Sequence, residues 1–221
     1  MIRNKLFHIA ALMAGLAGCA QIPEPILETA YPSVVVVEVY NKRNMLVAMG
    51  SGVVVSEDRV ITNCHVVQSG DSYHLRQRKK HYPAKLQYAD QRRDLCLLVS
   101  PNLGLPAVEI VGAKDLKIGQ PVYTVTAPAG FARDISSGAI ISLSSHDGTP
   151  MIRTDAKVSP GSSGGGLFDD AGRLVGITTF IMLTGENNHT YAVPAELISE
   201  VPERAQEEIV NRPIPVLIPI P

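Results

Sequence analysis

Apolar residues in this chain recur in short runs bounded by turn residues, with no long helical stripe between them. Ser33–Tyr40, Leu46–Val55, Val60–Thr62, His74–Leu75, Ala84–Tyr88 and Leu95–Val99 are rich in Val, Ile and Leu and read as strands. Pro101 to Pro106 reads as a linker. A second set follows: Val108–Ile110, Pro121–Ala127, Ile135–Ser144, Met151–Asp155, Gly166–Phe168, Leu174–Phe180 and Thr190–Val193. Two runs of about six short strands predict an all-β fold of two antiparallel six-stranded barrels, at residues 32–100 and 106–201. Pro194 to Ile209 is the best helix candidate, with Leu197, Ile198 and Val201 as a short apolar stripe broken by Pro202. Residues 202–221 read as a Pro-rich tail. Its end, Pro213 to Pro221, suits an extended or polyproline segment that packs on the body, meets a partner or stays disordered.

The first residues follow another pattern. Arg3 and Lys5 make a short positive region, and Leu6 to Leu16 is an apolar stretch too short to span a bilayer. It runs into Leu16-Ala17-Gly18-Cys19, which resembles a bacterial lipobox. Residues 1–18 are then a signal peptide, and Cys19 is lipidated and becomes the mature N-terminus. A signal peptide cleaved without lipid is the alternative. Ala20 follows the cysteine, and the absence of Asp there favours an outer-membrane anchor facing the periplasm. Residues 19–31 read as a tether, because Pro23, Pro25 and Pro32 discourage regular structure.

Composition narrows the function. At 221 residues and 45% hydrophobic, the chain allows one domain or two small ones with a packed core. A net charge of −1 gives no general reason to expect nucleic acid as a partner. The one basic run, Arg76-Gln77-Arg78-Lys79-Lys80-His81, falls where a solvated hairpin tip is expected. No second Cys/His pair has metal-ligand spacing, so neither a metal nor another cofactor is expected.

The candidate chemistry centres on Ser159-Pro160-Gly161-Ser162-Ser163-Gly164-Gly165-Gly166. Gly161 and Gly164 allow backbone conformations that a Cβ blocks. Such a turn can aim backbone N–H groups at a point beside a serine hydroxyl, where an oxyanion forms. A serine nucleophile needs a base, and the base an orienting acid. His65 closes the run Val60-Ile61-Thr62-Asn63-Cys64-His65, and Asp94 opens Asp94-Leu95-Cys96-Leu97-Leu98. Asp90 is a rival acid, more simply read as an exposed loop residue. Ser162 is the rival nucleophile.

Thr62-Asn63-Cys64-His65-Val66, Arg93-Asp94-Leu95 and Pro160-Gly161-Ser162-Ser163-Gly164-Gly165, in that order, resemble the trypsin-like serine proteases, most of all their HtrA/Deg branch. The likeness covers residues 32–198 and includes Gly50-Ser51-Gly52, Ser137-Gly138-Ala139-Ile140, Gly172-Arg173-Leu174-Val175-Gly176 and Tyr191-Ala192-Val193-Pro194. The resemblance implies His65 as general base, Asp94 as its orienting acid, Ser163 as nucleophile, and the N–H groups of Gly161 and Ser163 as the oxyanion hole. It also implies a substrate pocket lined by Lys157, Val158, Thr178, Thr179, Phe180 and His189. Lys157 and His189 would favour an acidic residue through charge-assisted hydrogen bonds; with Lys157 turned to solvent, the pocket is instead small and apolar. Cys64 and Ser162 stand where the family often has Asn, Ala127-Pro128-Ala129-Gly130 replaces an Asn-Pro-Phe-Gly type segment, and Lys157 replaces a small residue.

If His65 and Asp94 hydrogen-bond, the sulfurs of Cys64 and Cys96 come into one neighbourhood. There they form a disulfide, stabilising by roughly 3–4 kcal/mol, or remain as buried thiols. Ser162, unlike the acidic residue of digestive-type relatives, cannot pair with a new N-terminal ammonium, so activation by N-terminal cleavage is not expected. The expectation is a protease of this branch without a PDZ domain. The expected function is a serine endopeptidase acting on exported proteins or peptides. The alternatives are a non-catalytic, protease-like lipoprotein that binds partner proteins, and an esterase using the same triad. A trimer is compatible with the resemblance, but the motifs do not set the assembly.

Overall fold

A computed structural model describes residues 21–128, 133–184 and 187–210. The expected signal peptide, Cys19 and the end of the expected tail from residue 211 lie outside the described residues. Among the described residues, twelve strands form two closed antiparallel barrels, as the pattern of apolar runs predicts. The first comprises β1 (Val34–Tyr40), β2 (Leu46–Ser56), β3 (Arg59–Thr62), β4 (Ser72–Gln77), β5 (Lys80–Asp90) and β6 (Leu95–Val99) in the order β1-β2-β3-β6-β5-β4. The second comprises β7 (Pro121–Thr126), β8 (Asp134–His146), β9 (Thr149–Thr154), β10 (Gly166–Phe168), β11 (Leu174–Thr184) and β12 (Asn187–Pro194) in the order β10-β11-β12-β9-β8-β7. Val108–Ile110, expected as a strand, makes only an isolated bridge from Ile110 to Leu174. Its backbone is divided between the barrels: the Val108 N–H donates to the Val54 carbonyl, and the Leu174 N–H donates to that of Glu109.

Each barrel has its own apolar filling. Val35, Val37, Val39, Val54, Val60, Leu75 and Leu98 fill the first, and Val122, Ile140, Ile152, Leu167 and Val175 the second. A third cluster joins them, with Val53, Ile61, Leu95 and Leu97 meeting Val125, Phe168, Ile177 and Val193. Alternation explains the division: Leu167 points into its barrel while the adjacent Phe168 points toward the junction. Burying Phe168 alone contributes about 1.5–3 kcal/mol.

Segments flanking the barrels on both sides pack on this junction, which corrects two expectations. Residues 26–31, expected as part of a tether, form helical turns at Ile26–Ala30 that continue through Tyr31–Ser33, with Ile26 and Ala30 fully buried. The prolines do not oppose them. Pro25 precedes the first turn and Pro32 sits at the start of the second, positions where a missing N–H costs little. At the other end, a short helical segment at Ala195–Glu200 leads into a helix at Val201–Val210, so the body continues past residue 201. Pro202 lies in the first turn of that helix and so begins it. The helix packs on β5, and Val201 and Ala205 are buried. The basic run forms the turn between β4 and β5, with Arg78, Lys79 and Lys80 exposed.

Between β3 and β6 the register pairs Thr62 with Cys96. Cys64, two residues past Thr62 in a single helical turn, α1 (Cys64–Val67), is bonded to Cys96, with a Cα–Cα separation of 4.8 Å. Both residues are buried. Replacing Cys64 and Cys96 by Ala is expected to lower the unfolding free energy by about 3–4 kcal/mol, from the entropy of the loop that the bridge closes. Urea denaturation at equilibrium measures this; an unchanged midpoint would contradict it.

Candidate active site

The serine turn is two tight turns in succession. The Ser162 N–H donates to the Ser159 carbonyl and the Gly165 N–H to that of Ser162, both at 3.0 Å. Gly161 and Gly164 take φ of 89° and 84°, the left-handed region that glycine enters without strain. Gly164 is also needed for space: a Cβ there would lie 2.2 Å from the Ser51 carbonyl oxygen and 2.3 Å from Thr62 Oγ1. The turn therefore lies directly against barrel one. On its other side it joins β11, where the Gly164 N–H donates to the Thr178 carbonyl at 2.8 Å.

The two adjacent serines have separate surroundings. Ser162 is buried; its hydroxyl donates to Thr126 Oγ1 at 3.0 Å and accepts the Ser159 N–H at 3.2 Å. Neutral hydrogen bonds thus brace the turn at this position. Ser163 is partly exposed, and its Oγ donates to the Thr179 carbonyl oxygen at 3.1 Å. Among the described residues, neither the Gly161 nor the Ser163 backbone N–H has a hydrogen-bond acceptor.

His65 stands on α1 and Asp94 on the turn before β6, at φ 57°. Aspartate tolerates that conformation better than most residues. The His65 backbone N–H donates to Asp94 Oδ1 at 2.9 Å, and His65 Nδ1 lies 2.7 Å from Asp94 Oδ2. An ionised carboxylate only accepts, so the proton of a neutral imidazole belongs on Nδ1, leaving Nε2 as the basic nitrogen. The Asp94 carbonyl is held as well, by Asn63 Nδ2 at 2.8 Å. Thr179 Oγ1 completes the set, donating to Asp94 Oδ2 at 2.7 Å. Burial pushes the Asp94 carboxyl pKa up, but the bonds from the His65 ring, the His65 N–H and Thr179 outweigh it and hold it below the ordinary carboxylate range. The His65 side chain remains 43% exposed, so a reactant can reach it.

Thr179 thus links the two halves of the site, its hydroxyl on Asp94 and its carbonyl on Ser163. The sequence pointed to it only as a pocket residue. Asp90, read as an exposed loop residue, is in fact fully buried at the end of β5, where Oδ1 accepts the Arg93 N–H at 3.1 Å. Arg93 in turn reaches Glu200 at 2.7 Å. Asp90 is therefore part of the brace beneath the Asp94 turn.

Beside Ser163 lies a cavity of about 240 Å³, lined by Val158, Ser159, Ser162, Ser163, Thr178, Thr179 and Thr190. Val158, Thr178 and Thr179, read from the sequence as pocket residues, are among them. Lys157 and His189 are not among the lining residues, and the Phe180 side chain lies outside the described residues. Lys157 is exposed, its backbone tied to Ser136 Oγ and Thr124 Oγ1. His189 pairs across β11–β12 with Met182 and is half-buried. Thr190 was missed; alternation along β12 buries it with Ala192 on one face, and that period was its available signal.

Comparison with known proteins gives the same outline. Residues 50–177 match the family model described as a trypsin-like peptidase domain. The chain is 34% identical over 169 residues to a probable periplasmic serine endoprotease DegP-like of Ectopseudomonas mendocina (strain ymp), covering 73% of this chain and 36% of the relative. A protein of the same description from Marinomonas sp. (strain MWYL1) matches with equal identity and coverage. The chain thus spans about a third of the length of these curated relatives. Among solved structures, the serine endoprotease from Yersinia pestis superposes with a TM-score of 0.73 at 27% identity, over 83% of this chain and 66% of that one. The HtrA-type protease AlgW with a tripeptide does so with a TM-score of 0.72 at 27% identity, over 85% and 62%. With a matched family model that spans more than half its length, the chain belongs to the trypsin-like peptidase domain family.

Proposed function

We propose that this chain is an HtrA-like serine endopeptidase that hydrolyses peptide bonds of exported proteins. His65 acts as general base, Asp94 as its orienting acid and Ser163 as nucleophile. The observation that carries this reading is the clamp on Asp94. Three donors converge on its carboxylate, one of them the His65 ring, while the Thr179 that supplies another also touches Ser163. A carboxylate so held fixes the imidazole tautomer and stabilises the imidazolium formed in acyl transfer.

The steps follow from these positions. Rotation about the Ser163 Cα–Cβ bond turns Oγ from the Thr179 carbonyl toward His65 Nε2. His65 takes the proton as Oγ attacks the peptide carbonyl carbon. The resulting oxyanion is held by the N–H groups of Gly161 and Ser163. His65 then protonates the leaving amine, and water releases the acyl group by the reverse sequence. The neutral bonds at Ser162 support a turn that needs no freed N-terminal ammonium.

Among the described residues, the cavity walls are uncharged: Val158, Thr178, Thr179 and Thr190, in a volume of about 240 Å³. That lining supports a small uncharged residue before the scissile bond and sets aside the acidic preference that Lys157 and His189 suggested. The kinship with probable periplasmic endoproteases supports a periplasmic setting. The lipobox-like Leu16-Ala17-Gly18-Cys19 supports a lipid anchor in the bacterial envelope, in the outer membrane and facing the periplasm.

Fluorogenic peptides differing only before the scissile bond test this reading. Ala or Val there should be cleaved faster than Glu, with Ser163→Ala lowering kcat by several powers of ten and Ser162→Ala lowering it far less. A preference for Glu would reject the pocket assignment, and full activity in Ser163→Ala the mechanism. Thr179→Val removes one donor to a charged carboxylate, worth roughly 1.5–3 kcal/mol, and should lower kcat/KM by about 10- to 100-fold. A change under twofold would contradict the linking role of Thr179.

The depressed Asp94 pKa sets a direction with pH. Its contribution to stability is present above the ordinary carboxylate range and is lost as pH falls through the folded-state value. The stability advantage of the wild type over Asp94→Asn in urea unfolding should therefore shrink as pH is lowered from about 6 to about 3. A difference that stays constant over that range would contradict the clamp.

A further inference from the structure

We propose that Ser51 is a positioning residue for catalysis: its buried hydroxyl holds the serine turn in the conformation that presents the Gly161 N–H. The inference rests on the peptidase reading above and extends it to a residue on the opposite barrel.

Ser51 lies on β2 of barrel one, 110 positions from Gly161, and is fully buried. Its three polar groups all have partners around the site. The Ser51 N–H donates to the Ser163 carbonyl at 2.8 Å. Its carbonyl accepts the Thr62 hydroxyl at 2.7 Å. Its Oγ donates to the Gly161 carbonyl at 3.0 Å and accepts the Ala127 N–H at 2.8 Å.

The two bonds at Oγ act together. A hydroxyl has one hydrogen to give, and it rotates to suit its neighbours. Because the Ala127 N–H occupies one lone pair, the Ser51 hydrogen is directed away from that group and onto Gly161. This pins the peptide between Gly161 and Ser162. Gly161, at φ 89°, is the residue least able to hold that geometry by itself, since glycine pays little to leave it. Its own N–H is one of the two proposed oxyanion donors. A relaxed turn would aim that N–H elsewhere with the triad still intact.

The glycines beside Ser51 fit this role. A Cβ at Gly50 would lie 2.7 Å from Val66 Cγ1 and 3.0 Å from the Ser163 carbonyl oxygen, and one at Gly52 would lie 2.6 Å from Val60 Cγ1. Gly50 lets β2 approach the turn closely enough for the Ser51 bonds to form, while Gly52 leaves room for Val60 and Val37 inside barrel one. The hydroxyl does not belong to the proposed triad or oxyanion hole, so its effect falls on the transition state through Gly161.

The test compares wild type, Ser51→Ala, Ser51→Cys and a control, Ser100→Ala, on the full exported chain. Ser100 is equally buried, and its hydroxyl donates to the Pro83 carbonyl within barrel one. Outright removal of an oxyanion donor lowers kcat by about 10²–10³-fold, so Ser51→Ala should lower it by roughly tenfold or more, with KM changed less than about twofold. Inhibition by a peptide boronic acid, which mimics the tetrahedral state, should weaken by the same factor as kcat/KM. Ser51→Cys fills the site with a weaker donor and acceptor and should fall between, which serves also if Ser51→Ala does not fold. Ser100→Ala should lower Tm without changing kcat. An active wild type with kcat and boronate affinity unchanged in Ser51→Ala or Ser51→Cys overturns the inference, as does a kcat loss matched by Ser100→Ala. An inactive wild type overturns the peptidase reading itself.

Discussion

The hydrogen bond from Thr179 Oγ1 to Asp94 Oδ2 is the joint on which the site depends. His65 and Asp94 belong to barrel one; Ser163 and Thr179 belong to barrel two. Without a contact that fixes both sides, the proposed acid–base pair on one barrel has no defined relation to the proposed nucleophile on the other. Thr179 supplies that contact with its side chain, and its carbonyl receives the Ser163 hydroxyl. The Ser51 bonds tie the same turn back to barrel one. Two short polar links thus close a loop through the site, with the apolar junction of Phe168, Ile177, Ile61 and Leu95 behind it.

The segments that flank the barrels reinforce this joint from outside. Helical turns at the N-terminal side bury Ile26 and Ala30 in the junction, and the C-terminal helix crosses from barrel two onto β5. Arg93, next to Asp94, lies between buried Asp90 and Glu200, so the turn carrying the acid is tied to the C-terminal segment. The Cys64–Cys96 bridge acts at shorter range. It joins the residue before His65 to a residue two past Asp94, and so braces the pair covalently. Asp94, held at positive φ, depends on such support: backbone strain persists only where surrounding contacts over-determine it.

Much of the architecture was legible along the chain, because period-two burial and turn residues act locally. The two barrels, the hairpin at Arg78 and Lys79, and the serine turn with its two glycines follow from such signals. The misread segments are those whose structure is decided by distant partners. Residues 26–31 looked like a tether because their prolines were read without the barrel surface that Ile26 buries against. Asp90 looked exposed because nothing nearby in sequence reveals Glu200 or the packing of the C-terminal helix. Lys157 and His189 sit at matching positions in the chain, yet their backbone ties place them outside the cavity lining. Ser51 appeared only as part of a Gly-Ser-Gly run; its bonds to Gly161, Ser163 and Ala127 exist only once the barrels meet.

The central claim is that Ser163, and not its neighbour, is the activated nucleophile. Reaction of the folded protein with a fluorophosphonate, followed by peptide mass spectrometry, tests it most directly. The account predicts one adduct, with fragment ions placing it on Ser163, and none in His65→Ala over the same time. An adduct on Ser162, or none on the intact wild-type protein, would contradict it.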